Sequence, residues 1–240
     1  EFEAVLEGCQ QEWANFLLPD STESVSEKIA TYDFSEIVDL FEDFCKSDFP
    51  MPMAILTALN RFEEQTGDYL IKYAINISEG KNQPDTELGI QAAKALGRLQ
   101  MTRYIPLLVS TVESLPSYED LLIESVAEGL LNMGKPAIDP IMESINKAEK
   151  INNNMEYLLQ VLSQLGKNHK SPEIFACLKS SFLRMQNKDL GALCIAEYND
   201  VRGIAFLRSW LERHQKELPR ETYFEILHCI KALGGQVDLF

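Results

Sequence analysis

Apolar positions return along this chain at helical spacing, and the runs they form close on a turn residue at almost equal intervals. The stretch "AEGLLNMGKPAIDPIMESI" (127–145) reads as a helix, a tight turn and a second helix. With Gly134 as the marker, "AAKALGRLQ" closes at Gln100, "VAEGLLNMG" at Gly134, "LLQVLSQLG" at Gly166, "ALCIAEYN" at Asn199 and "ILHCIKALG" at Gly234. The steps are 34, 32, 33 and 35 residues. Within these runs Ala92, Leu96 and Leu99 share one helix face. So do Val126, Leu130 and Met133, then Leu158, Leu162 and Leu165, then Leu227, Ile230 and Leu233. Glycine or asparagine at the close suits a helix C-cap, where the backbone turns left-handed.

A second helix is predicted after each turn. Asp139-Pro140 and Ser171-Pro172 read as an N-cap followed by proline at the first helical position, where no backbone N–H is required. Pro106 holds the matching place in the first unit and Gly203 in the fourth. The second helices carry stripes of their own: Ile105, Leu108, Val109 and Val112; Ile138, Ile141, Met142 and Ile145; Ile174, Phe175, Leu178 and Phe182; Phe206, Leu207, Trp210 and Leu211. One hairpin cannot bury its apolar face alone, so a hairpin repeated every ~33 residues predicts an array stacked on itself.

Before residue 87 the pattern loosens. Residues 52–77 fit an irregular extra repeat, with Leu59 and Phe62 on one helix and Tyr69, Tyr73 and Ile77 on the next. "FEAVLEGCQQEWANFLL" (2–18) and "FSEIVDLFEDFC" (34–45) each read as one amphipathic helix, with the polar turn "PDSTES" (19–24) between them. Residues 1–80 are therefore expected to form an N-terminal helical cap, and 87–240 a repeat array whose last repeat is incomplete. "SEGKNQPDTE" (78–87) is the candidate boundary.

The "A-x-x-L-x-x-L-G" first helices, the "P-L-L" and "P-I-M" that open the second, and the Asp-x-Arg turn in "EYNDVRGIAFLRSWL" (197–211) carry a resemblance. On these residues, 87–235 resembles HEAT-like repeats, particularly the short type named after phycobilisome lyases. The resemblance implies an all-α fold, a right-handed α-solenoid of about four to five helical hairpins behind the cap. It also implies that the second helices line the concave side, so that their solvent-facing residues form the contact set.

Charge narrows the function. The net charge is −15, and residues 1–86 hold 18 acidic against 5 basic side chains, so most of the acidity belongs to the first third. Nucleic-acid binding needs Lys and Arg to displace counterions, which speaks against that partner class. Apolar runs such as "MAILTAL" (53–59) are too short to cross a bilayer, so no membrane role is expected. Five cysteines without a CxxC pair, several among apolar neighbours, point to buried thiols and a cytoplasmic protein.

No catalytic constellation stands out. His169, His214 and His228 lack spaced ligand partners, and the chain has no His-Glu dipeptide of the kind that binds iron in some HEAT-repeat hydroxylases. "GKNHKS" (166–171) lacks the upstream glycine of a P-loop and reads as a solvated turn in which Ser171 caps the next helix. What remains is surface. Lys179, Arg184, Arg208 and Arg213 on the later second helices, and Glu36, Asp39, Glu42 and Asp43 with Glu3 and Glu7 near the front, are the candidate partner-binding residues. The expected function is a non-catalytic scaffold or adaptor that binds a protein partner and carries no cofactor. The resemblance supplies the alternative, a lyase or chaperone-like helper for a cofactor-bearing protein. The incomplete last repeat allows a weak homodimer in place of a monomer.

Overall fold

The computed structural model describes residues 2–19, 21–47, 49–75, 86–116 and 119–236, with the backbone alone for 2–7 and 10. Fourteen α-helices account for most of these residues. In chain order they are α1 (Phe2–Asn15), α2 (Val25–Ala30), α3 (Phe34–Cys45), α4 (Met53–Asn60), α5 (Glu63–Ile75), α6 (Thr86–Arg98) and α7 (Ile105–Ser114). Then come α8 (Asp120–Met133), α9 (Ile138–Lys147), α10 (Asn153–Asn168), α11 (Pro172–Arg184), α12 (Lys188–Tyr198), α13 (Arg202–His214) and α14 (Arg220–Ala232). Extended pairing among the described residues is an isolated bridge between Leu17 and Ser24. The chain is all-α.

It divides into two compact units, 1–104 and 105–240. Helix α6, which opens the repeat pattern in the sequence, packs most extensively on α5 and so belongs to the first unit. Residues 78–85 of the expected boundary, Ile77 and the side chains of Glu3 and Glu7 lie outside the described residues.

In the first unit, α2, α3, α4 and α5 close around Ile37, Phe41, Leu56, Leu59 and Leu70, all fully buried. Two capping boxes start α2 and α3, Ser24 with Glu27 and Asp33 with Glu36. Arg61 ties α4 back to the end of α2 through the carbonyls of Ala30 and Tyr32.

The second unit packs in two rows. Helices α8, α10, α12 and α14 lie side by side in sequence order, and α7, α9 and α11 form a second row against them. The apolar stripes read from the sequence face these contacts. Ile105, Leu108, Val109 and Val112 on α7, and Ile174, Phe175, Leu178 and Phe182 on α11, are all buried. A fully buried aliphatic or aromatic side chain contributes about 1.5–3 kcal/mol, so these stripes supply the main driving force.

The row of second helices leaves C-terminal carbonyls without helical partners, and each set is taken up by a later polar side chain. Asn154 donates to the Val112 and Leu115 carbonyls at 3.0 and 2.7 Å. Arg184 donates to the carbonyls of Ile145 and Ala148. Lys188 donates to those of Phe182, Leu183 and Met185 at 2.6, 3.2 and 2.7 Å. The periodicity of apolar residues does not announce these polar ties.

The turns agree with expectation at four of the five markers. Gln100, Gly134, Asn199 and Gly234 all have positive φ. Gly166 differs: α10 runs past it to Asn168 and ends at His169. This glycine is needed for space. A Cβ there would meet the Tyr198 ring at 2.9 Å and Ile174 Cγ2 at 3.0 Å. Tyr198 is held over it by accepting from the Ser171 N–H at 3.0 Å and donating to the Ser171 carbonyl at 2.9 Å.

The N-cap expectation also divides. Ser171 Oγ accepts from the Ile174 N–H, with Pro172 at the first helical position. Asp139 is not a cap, because a 3-10 turn over Lys135–Ala137 leads directly into α9 and places Pro140 at its third residue. The first-turn N–H groups have no helical acceptor, so proline is tolerated there too.

Two glycines test this packing against each other. Gly8 sits in α1, and a Cβ added there would have nothing within 4 Å, so Gly8→Ala is expected to gain up to about 1 kcal/mol from helix propensity. Gly166→Ala makes the same propensity gain but overpacks against Tyr198, and a net loss of about 1 kcal/mol is expected in urea denaturation.

Candidate functional site

The charged residues expected at a partner surface separate into two groups. On α3, Asp39 and Asp43 are exposed, the latter paired with Lys46 at 3.3 Å. Glu36 is occupied by its capping box, accepting from the Asp33 N–H at 2.8 Å, and half-buried Glu42 accepts from the Tyr69 hydroxyl at 2.6 Å. On α11 and α13, Lys179 is exposed with its ammonium 5.3 Å from the Phe206 ring centroid. Arg213 is exposed and folds back on Ser209. Half-buried Arg208 donates to the Gln236 carbonyl at 2.5 Å. Arg184 is committed to the end of α9. Asp39, Asp43, Lys179 and Arg213 are exposed, as is Glu36, whose carboxylate is engaged in its capping box.

The turn Asp200-x-Arg202 is internal machinery of the same kind. Arg202 Nε and its terminal nitrogen reach the two Asp200 oxygens at 2.9 and 2.7 Å, and the guanidinium lies 4.5 Å from the Phe175 ring centroid. The Arg202 bond holds the Asp200 carboxyl below the usual carboxylate range. Among the described residues no group of three or more His, Cys, Asp or Glu could hold a metal ion. Burial raises the thiols of Cys194 to about 12 and Cys229 to about 11. Both are protonated at neutral pH, and a thiol is a far weaker nucleophile than a thiolate.

The sequence carries no direct sign of a concavity in the second unit. A cleft of about 930 Å³ lies over the N-terminal ends of α10 and α12, with Asp120 of α8 on one side and Arg184 on the other. Its lining is rich in amides: Asn152, Asn153, Gln160, Gln186 and Asn187. Two of them hold matching places in consecutive hairpins. Asn152 Oδ1 caps α10 by accepting from the Met155 N–H at 2.9 Å, and Asn187 Oδ1 caps α12 by accepting from the Leu190 N–H at 3.2 Å. The Asn187 amide then donates to Glu156 Oε2 at 3.0 Å. A signal was present in the sequence, asparagine before each of two first helices, but capping alone accounts for it.

Glu156 and Tyr157 form the floor. Burial pushes the Glu156 carboxyl above its ordinary range, and the Asn187 bond pulls it partly back. Burial, then the nearby carboxylates Asp120, Glu124 and Glu156, push the Tyr157 phenol up. The cleft therefore offers amide donors and acceptors, a phenol and a carboxylate, with the cation Lys150 at its edge.

No family model, curated protein or solved structure matches the chain. Its function must therefore be argued from its own residues.

Arg184→Ala removes bonds to the end of α9 and is expected to cost about 1–3 kcal/mol in chemical denaturation. Exposed Lys179→Ala should stay within about 0.5 kcal/mol of the parent. Glu156 gives a pH test. Its folded pKa is raised, so folding favours the protonated form. Its contribution to stability is neutral below the unfolded pKa, falls as pH rises through the unfolded value, and levels off above the folded one. Glu156→Gln should therefore be more stable than the parent at pH 7, with the gain vanishing in acid, as read by thermal melts across pH.

Proposed function

We propose that the second unit is a short right-handed HEAT-like solenoid, and that the chain is a non-catalytic scaffold binding a partner protein along its surface. The observation that carries this reading is the amide-lined cleft, which draws on successive hairpins through α8, α10 and α12. The two rows of helices and the left-handed turns at Gln100, Gly134, Asn199 and Gly234 support the solenoid.

The mechanism is geometric. Caps, carbonyl ties and buried stripes hold the contact residues in place before a partner arrives, so binding orders few additional side chains. Lys179 and Arg213 remain exposed to meet an acidic segment, while Asp39 and Asp43 favour a basic one.

Site-specific photo-crosslinking tests this in cells of the native host. A benzophenone side chain replacing Gln186 in the cleft is expected to give a discrete protein adduct, absent when the same group replaces exposed Lys135 outside it. No adduct at Gln186, or the same ladder at both positions, overturns the reading.

A further inference from the structure

The first unit carries a second concavity with different chemistry. A groove of about 580 Å³ runs between α1, α2 and α4, with Ala14, Ala30, Ala54 and Ala58 in its lining. Alanine in a lining leaves room near the backbone for large side chains from outside. Met53, 47% exposed, lines the groove, and Phe16, 65% exposed, directly follows the lining residue Asn15. Exposed apolar surface gathered at a groove marks an interaction site.

Three observations select the occupant. The walls are helices, and a helix brings its own main-chain bonds satisfied, so it can lie against them through side chains alone. The cation in the lining, Arg61, is committed to the carbonyls of Ala30 and Tyr32, so it does not draw an anion into the groove. Residues 1–104 hold 19 acidic and 8 basic side chains, a net −11. Exposed Glu12 is the immediate chain neighbour of the lining residue Gln11, and Glu27, next to Ser26, is exposed with its carboxylate engaged in the α2 capping box. That charge repels a second copy of the unit and an anionic membrane, and attracts Lys and Arg.

We propose that this groove binds an amphipathic helix of a partner protein, its apolar face against the alanine-containing lining and its Lys/Arg face toward the acidic exterior of the unit. The proposal rests on the scaffold reading and deepens it by naming the class of segment the first unit recognises.

The test uses the full chain and two fluorescent peptides of about five helical turns each, one built of Leu and Lys with all Leu on one face, the other with Glu for Lys. Binding is read by anisotropy at physiological salt. The Leu/Lys peptide is expected to bind and the Leu/Glu peptide not to bind. Ala54→Trp and, separately, Thr57→Trp fill the groove from α4, and Thr57 is exposed, so this second variant avoids disturbing the core. Each should weaken the Leu/Lys peptide at least about tenfold, with melting temperature and far-UV circular dichroism unchanged. Full-strength binding to folded Thr57→Trp would show that the attraction is diffuse charge and overturn the proposal. Failure of the Leu/Lys peptide to bind, or equal binding of both peptides, overturns it as well. The Gln186 crosslink is independent of these outcomes, so an adduct there with no groove-dependent binding removes this proposal and leaves the scaffold reading standing.

Discussion

Helix α10 is packed against α7, α8, α9, α11 and α12, and the second unit depends on that enclosure. A helix with neighbours on so many sides must bury apolar residues over a broad arc. Leu158, Leu159, Val161, Leu162 and Leu165 are accordingly all buried. The arc also includes Asn154 and Ser163, buried polar residues whose bonds go to main-chain carbonyls, Val112 and Leu115 for the first and Gln160 for the second. Burial without those bonds would cost about 1–3 kcal/mol for each group. The polar ties are thus a condition of the apolar packing, not an addition to it.

The same constraint explains where the surface chemistry lies. Asn152 and Asn187 cap the N-termini of α10 and α12, while α8 and α14 start without a side-chain cap. Because one amide both caps its helix and offers an NH2 group, the N-terminal ends become a lining of donors and acceptors. Asn187 already uses its donor on Glu156. The first unit solves a different problem. Its capping boxes, its bond from Tyr69 to Glu42 and its Arg61 tie consume part of its charge internally, and the rest remains as an acidic exterior around an apolar groove. The two units thus present unlike surfaces, one amide-rich and near neutral, the other apolar and acidic. A scaffold that recognises segments of different character would use both.

Much of the architecture was legible in the chain because period and punctuation survive without tertiary information. The stripes over 105–112, 138–145 and 174–182 are nearly all buried, and the turns at Gln100, Gly134, Asn199 and Gly234 are left-handed. Both depend on local geometry: a helix repeats every 3.6 residues, and positive φ ends it wherever it falls. Gly166 looked the same in sequence and is not the same. Its role is set by Tyr198, 32 residues later, and no local rule contains that distance.

The candidate residues show the same divide. Periodicity and composition were enough for the all-helical class and the acidic character of the first third. Which charges are free to act depended on how the helices pack. Arg184 and Lys179 are both cations of α11, yet one is bound to the end of α9 and the other is exposed. A long flexible side chain reaches whichever unpaired carbonyl lies nearby, and what lies nearby is fixed by packing between hairpins. The cleft over α10 and α12 and the groove between α1, α2 and α4 arise for the same reason. They are spaces between elements, and their shape exists only once those elements have met.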